Sequence, residues 1–176
     1  LAPRVADGWD VVIVEPSDAV MVQSDYLDLL GHDHDAATEL AASTFGVCEY
    51  LDRFALDADI NWIEPDASLI YHGHCHQKAV TKDHHAVGVL RRAGYAVDPL
   101  DSGCCGMAGS FGYEAEHYSM STSIAEILFD QLRKSDGDSV VAPGASCRTQ
   151  LEDGPTDGPI PHPIQKLADA IQLNEE

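Results

Sequence analysis

The chain has 176 residues and a mass of 19.0 kDa, enough for one domain with its own core and too short for a large multidomain enzyme. Ten Lys and Arg against thirty Asp and Glu give a formal charge of −20, which argues against nucleic acid or an anionic membrane surface as a partner. Hydrophobic residues make up 44% of the chain, the share of a folding protein rather than a disordered one.

Residues 11–14 form a β-branched run that stops at Pro16 and reads as a strand. Val20, Met21, Tyr26, Leu27 and Leu30 then carry a helix. After the polar break at residues 31–35, apolar residues from Leu40 to Leu56 keep an approximate helical period and predict a second helix, with Cys48 on it as a small buried hydrophobe. Residues 57–66 read as a loop or ribbon, and residues 68–72 as a strand that runs directly into Gly73-His74-Cys75-His76. A helix over residues 82–93, closed by Gly94 as a left-handed cap, leads to a strand over residues 95–100 and then to Gly103-Cys104-Cys105-Gly106. Residues 114–133 return to helix, residues 138–142 form a fourth strand, and Pro143-Gly144-Ala145-Ser146-Cys147 turns the chain into a helix entered at Arg148. A final helix is expected over residues 164–173.

Alternation of strand and helix predicts an α/β fold, a three-layer arrangement with a mostly parallel sheet and the Cys-bearing loops at the strand C-terminal ends. In such sheets the carboxyl ends of the strands gather the binding loops, so Cys75, Cys104, Cys105 and Cys147 can converge despite their separation in sequence. A weak internal echo pairs residues 10–18 with residues 138–147, both strand, proline, small residue and helix entry; it sets Asp18 opposite Cys147.

Five cysteines are an odd number in a chain without a secretion-type leader pattern, so metal or redox chemistry is favoured over a disulfide framework. Four thiols on three loops suit a soft transition metal or an iron–sulfur cluster. Adjacent Cys104 and Cys105 bind two irons of one cluster more comfortably than one metal ion, which tilts the choice away from zinc. His72, His74 and His76 could alternatively serve a zinc hydrolase site, although no neighbouring Asp-His pair completes one; His74 and His76 fit better as donors flanking a cluster. The Gly106, Gly109, Gly112 spacing lacks a dinucleotide fingerprint and suits tight packing around the Cys pair.

His74-Cys75-His76-Gln77-Lys78, the run from Cys104 to Glu114, Pro143-Gly144-Ala145-Ser146-Cys147-Arg148 and His162-Pro163, taken in that order, resemble the cysteine-rich CCG domain. That family includes a component of heterodisulfide reductase, the iron–sulfur subunit of glycolate oxidase, the anchor subunit of anaerobic glycerol-3-phosphate dehydrogenase and the C-terminal part of fused FAD-linked oxidases of the D-lactate dehydrogenase type. The resemblance implies a [4Fe-4S] cluster on Cys75, Cys104, Cys105 and Cys147, flanked by His74, His76, Gly106 and Arg148. Gly144 stands where five-Cys members place a further thiol, which weakens both a non-cubane cluster and a heterodisulfide-reductase-like activity. Residues 1–60 would be the end of a degenerate first module and residues 61–176 the second, the whole being a single domain and a C-terminal piece of something longer.

The function so implied is electron transfer in an FAD-linked 2-hydroxyacid oxidoreductase of D-lactate or glycolate type. Its flavin would sit on a partner domain or subunit, and a downstream acceptor such as quinone would follow. A zinc-stapled interaction domain and a metal-free thiol sensor are the alternatives. No apolar run approaches the ~18 residues of a membrane span, so the expected place is the cytoplasm, with any membrane contact made through partners. Twenty Asp, ten Glu and only four Lys resemble the surface of proteins from salt-loving organisms.

Overall fold

A computed structural model describes residues 1–172. The chain opens with α1 (Ala2–Ala6), which the sequence pattern does not predict, and enters β1 (Val11–Ile13). Pro16 then starts α2 (Pro16–Val20), because its ring presets φ and its missing N–H is no loss in a first helical turn. The helix runs on through a π-helical turn (Met21–Asp25) into α3 (Tyr26–Leu30).

The single helix expected between Leu40 and Leu56 is instead α4 (Asp35–Ala42), β2 (Thr44–Gly46) and α5 (Val47–Arg53). Three fully enclosed residues, Thr44, Phe45 and Gly46, interrupt the helix and pair in parallel with β1, Val12 opposite Phe45. The apolar spacing across residues 40–56 is compatible with helix throughout, and the gain from strand pairing decides otherwise.

The second half holds β3 (Ser68–Tyr71), α6 (Cys75–Ala79), α7 (His84–Arg92), β4 (Ala96–Pro99), a 3-10 turn (Phe111–Tyr113), α8 (Tyr118–Leu132), β5 (Ser139–Val141), α9 (Ala145–Glu152) and α10 (Pro163–Asp169). Gly94 follows α7 with φ +98°, the left-handed cap that the sequence predicts. The last helix stops at Asp169; Leu173, at the end of the expected helix, lies outside the described residues.

Among the described residues the five strands pair in parallel, but they form two sheets rather than one: β1 with β2, and a three-stranded sheet in the order β4, β3, β5. In the larger sheet alternate side chains of β3 serve opposite faces. Leu69 and Tyr71 pack with Val89, Leu90 and Ala93, with Cys48 of α5 and with Leu167 of α10. Ile70 packs with Ala125, Leu128, Phe129 and Leu132 of α8 and with Leu151 of α9. This is the three-layer order expected, helices on both sides of a parallel sheet. Each fully enclosed aliphatic side chain, such as Val89 and Leu90 at 0% exposure, contributes about 1.5–3 kcal/mol.

Because β3 is central, the chain leaves it toward β4 on one side and returns through β5 on the other. The crevice between the carboxyl ends of β3, β4 and β5 is therefore a topological switch point, the usual place for a ligand in an open parallel sheet.

Candidate metal centre

Each cysteine loop leaves the carboxyl end of one strand of the larger sheet. After β3, His72 donates its backbone N–H to Val141 O at 3.0 Å, and His74 caps α6, its ring Nδ1 accepting from His76 N at 3.3 Å. Cys75 is thereby fixed at the first position of α6. After β4, Leu100 N–H bonds Tyr71 O at 2.9 Å before the chain reaches Cys104 and Cys105. After β5, Gly144 caps α9 and puts Cys147 in its first turn, where unpaired backbone N–H groups favour a thiolate.

The four sulfurs meet. Cys75 hydrogen-bonds Cys104, Cys104 bonds Cys105, and Cys105 bonds Cys147. They open on a cavity of about 260 Å³ lined by these four residues with Ser17, His74, His76, Ala108, Gly109 and Ser146. No Asp, Glu, Lys or Arg among the described residues lines it, so the donor set is soft and rich in sulfur.

The protons are unevenly shared along this chain of thiols. Hydrogen bonds from Cys105 and then Cys75 hold Cys104 well below the usual thiol range, and a hydrogen bond from Cys105, helped by His72, lowers Cys147. Donation to Cys104 raises Cys75, and donation to its two neighbours raises Cys105, with burial adding to both. Raised and lowered thiols thus alternate within one half-enclosed site. Such a cluster suits a thiophilic cation and would give up its remaining protons on binding one.

Cys48 stands apart. It is 7% exposed in the core under α7, and burial pushes its thiol up to about 12. It plays the part of a small hydrophobe, as its place in the apolar pattern suggests.

The flanking residues fall in different places. Gly106 N–H donates to Cys104 Sγ at 3.3 Å. His74, 4% exposed, and the exposed His76 both line the cavity. Arg148 turns away from it, its guanidinium donating to Pro143 O at 2.7 Å and Ala142 O at 3.4 Å, and so braces the loop that carries Cys147. Asp18, the counterpart of Cys147 in the internal echo, is exposed and outside the lining; the neighbouring Ser17 reaches the cavity instead. Glu15 links the two echoed turns, accepting from Ser17 Oγ at 3.0 Å and from Ala145 N at 2.9 Å.

Gly144 has a spatial reason. A Cβ there would lie 2.3 Å from His74 Cδ2, 3.1 Å from His74 Nε2 and 3.4 Å from Cys147 Sγ. The imidazole of His74 fills the space that a fifth thiol would need.

Sequence reasoning gives no role to Ser17, Ser102 or Lys78. Lys78 donates from α6 to both the carbonyl and the hydroxyl of Ser102, and that hydroxyl lies 2.7 Å from His72 Nδ1. The available signal is the scarcity of lysine: one of only four stands three residues after Cys75.

Residues 70–152 match the family model described as CCG, cysteine-rich domain, a stretch that holds all four converging cysteines. Over 104 residues the chain is 36% identical to one of the subunits of anaerobic glycerol-3-phosphate dehydrogenase in Escherichia coli K12, covering 58% of this chain and 26% of that protein. It is 27% identical over 168 residues to D-2-hydroxyglutarate dehydrogenase of the same strain, covering 94% of this chain and 16% of the relative. A D-2-hydroxyglutarate dehydrogenase of Haemophilus influenzae is 32% identical over 85 residues, 48% of this chain and 8% of its own length. The chain therefore spans about a quarter or less of these relatives.

Proposed function

We propose that this chain is the iron–sulfur electron-transfer part of an FAD-linked oxidoreductase acting on a D-2-hydroxy acid or a similar small hydroxylated substrate. The observation that carries the reading is the meeting of Cys75, Cys104, Cys105 and Cys147 from three strand ends around one cavity. Relatives named as dehydrogenases or as part of one support the redox assignment.

The donor set fits a [4Fe-4S] cluster: four thiols surround the cavity, and His74 takes up the space of a fifth. Cys75, Cys104, Cys105 and Cys147 would hold it, and when bound it supplies one-electron storage and transfer. The chain's own residues set the conditions. Gly106 N–H offers a hydrogen bond to Cys104 sulfur, His74 closes the side next to Gly144, and the apolar packing beneath Cys105 and Cys147 keeps water off the inner sulfurs.

No described helix is long and apolar enough to cross a membrane. Chemistry on carbon belongs to a flavin domain or subunit beyond this chain, and electrons leave toward a further carrier such as quinone. On this reading residues 1–60, with their separate two-stranded sheet, are the end of a degenerate first module that has lost its thiol at Asp18, and residues 61–176 are the intact second module. The protein works in the cytoplasm, and its carboxylate coat suits concentrated salt.

Iron, acid-labile sulfide and zinc should be measured on the full chain purified anaerobically in high salt, beside Cys105→Ser. About four irons and four sulfides per chain, lost in the variant, are expected. Zinc without sulfide would replace this reading by a metal-stapled interaction domain, for which His72, Cys105 and Cys147, mutually within 4.8 Å, are the ready donors.

A further inference from the structure

His72 follows β3 directly and is 0% exposed. One of its ring nitrogens falls within 4.8 Å of the sulfurs of both Cys105 and Cys147. Nδ1 is taken up by Ser102 Oγ at 2.7 Å, which leaves Nε2 buried and without a hydrogen-bond partner among the described residues. A buried polar atom in that condition costs about 1–3 kcal/mol unless something else satisfies it.

The tautomer follows from the rest of the chain of contacts. Lys78 Nζ can only donate, and it donates to Ser102 Oγ at 3.3 Å as well as to the Ser102 carbonyl. The Ser102 hydroxyl, accepting from Lys78, has its own proton to place, and the acceptor within its reach among the described residues is His72 Nδ1. An Nδ1 that accepts leaves the proton of the neutral ring on Nε2.

We propose that Lys78, Ser102 and His72 form a donor relay that holds His72 as the Nε2–H tautomer, with that N–H given to the sulfurs of Cys105 and Cys147. The relay rests on the cluster reading in its consequence, though not in its geometry. An N–H bond to a ligand sulfur stabilises the more negative, reduced state, so the relay raises the reduction potential of a centre held there. Lys78 strengthens it by polarising the hydroxyl from a half-buried position. Ser102 and Lys78 are positioning residues, since they reach the sulfurs only through His72.

Two measurements on the full chain test this. In metal-free, reduced protein, ring ¹⁵N shifts should show His72 protonated at Nε2, and Ser102→Ala should convert it to a mixture of tautomers. Protonation at Nδ1 in the unmodified chain overturns the relay, whatever metal the protein takes. In the iron-loaded chain, His72→Phe should lower the equilibrium constant for one-electron reduction about tenfold, about 59 mV. Ser102→Ala and Lys78→Met should move it the same way by less, at unchanged iron and sulfide. An unchanged potential in all three variants overturns the tuning role. If His72→Phe fails to fold or to load iron, the Ser102 and Lys78 variants decide. A wild-type chain that takes no iron refutes the cluster reading instead, and the tautomer measurement still stands.

Discussion

At Gly106 the backbone takes φ +95° and an added Cβ would lie 2.2 Å from the carbonyl oxygen of Ser121 in α8. Neither neighbour can yield, since one is strained backbone and the other a helix carbonyl. Gly106→Ala is expected to cost about 3 kcal/mol or more in urea unfolding, from the left-handed conformation and the overpacking together. A loss under about 1 kcal/mol would show that the loop re-forms around the methyl group. Gly144→Cys is the matching test on the other side of the site. With His74 in the way, the variant should keep the iron content of the parent and lose about 1–3 kcal/mol of stability; a more stable variant would mean that His74 moves aside and a fifth thiol fits. The four ligand candidates and Gly106 can be read from the sequence because Cys-Cys-Gly restricts chemistry locally. The filling of the space at residue 144 cannot, since His74 lies 70 positions earlier and reaches it only through the parallel pairing of β3 and β5.

Helix α10 is capped by His162, whose ring Nδ1 accepts from Ile164 N at 3.0 Å while its backbone N–H donates to Gln165 Oε1 at 2.7 Å. The cap works only with a neutral imidazole. Burial, with Arg148 nearby, lowers the ring to about 4 from the ordinary 6.5. Between those values the unfolded chain binds the proton and the folded chain does not, so stability is full above about pH 6.5 and is lost as the pH falls toward 4. The loss should approach about 3 kcal/mol, and His162→Asn, which caps without titrating there, should flatten that part of the pH profile of the unfolding free energy. An unaltered profile would place the titration elsewhere. At this scale the strands ahead of the cysteine loops and the cap at Gly94 are legible in the sequence. β2 is not, because its three residues fit a helical period and only a partner strand 33 residues away makes them extended. Once β2 forms, Glu49 of α5 becomes an enclosed carboxylate. Burial pushes it up, but Lys82, Gln23 and the Gly46 N–H together hold it below its usual range.

Over the whole molecule a charge of −20 is distributed mostly as exposed carboxylates, with few cations to answer it. Mutual repulsion is screened as the Debye length falls from about 30 Å at 0.01 M to about 3 Å at 1 M salt. The unfolding midpoint should therefore rise steadily with KCl over that range, to the same extent with NaCl, and a flat or falling response would refute the reading of the coat as an adaptation to salt. The two halves hold together at the site itself, where Glu15 meets Ala145 N and Ser17 joins the cysteine cavity. Charge, thiol count, the loops that carry the cysteines and the likeness to the CCG domain are all carried by the sequence, since composition and short motifs need no partner to be read. The split into two sheets, the turning away of Arg148, the filling of the space beside Gly144 and the Lys78, Ser102, His72 relay are decided only in three dimensions. Each depends on which side chains meet across strand ends that are tens of residues apart, and a hydrogen-bond partner or an excluded volume exists only after those ends have been brought together.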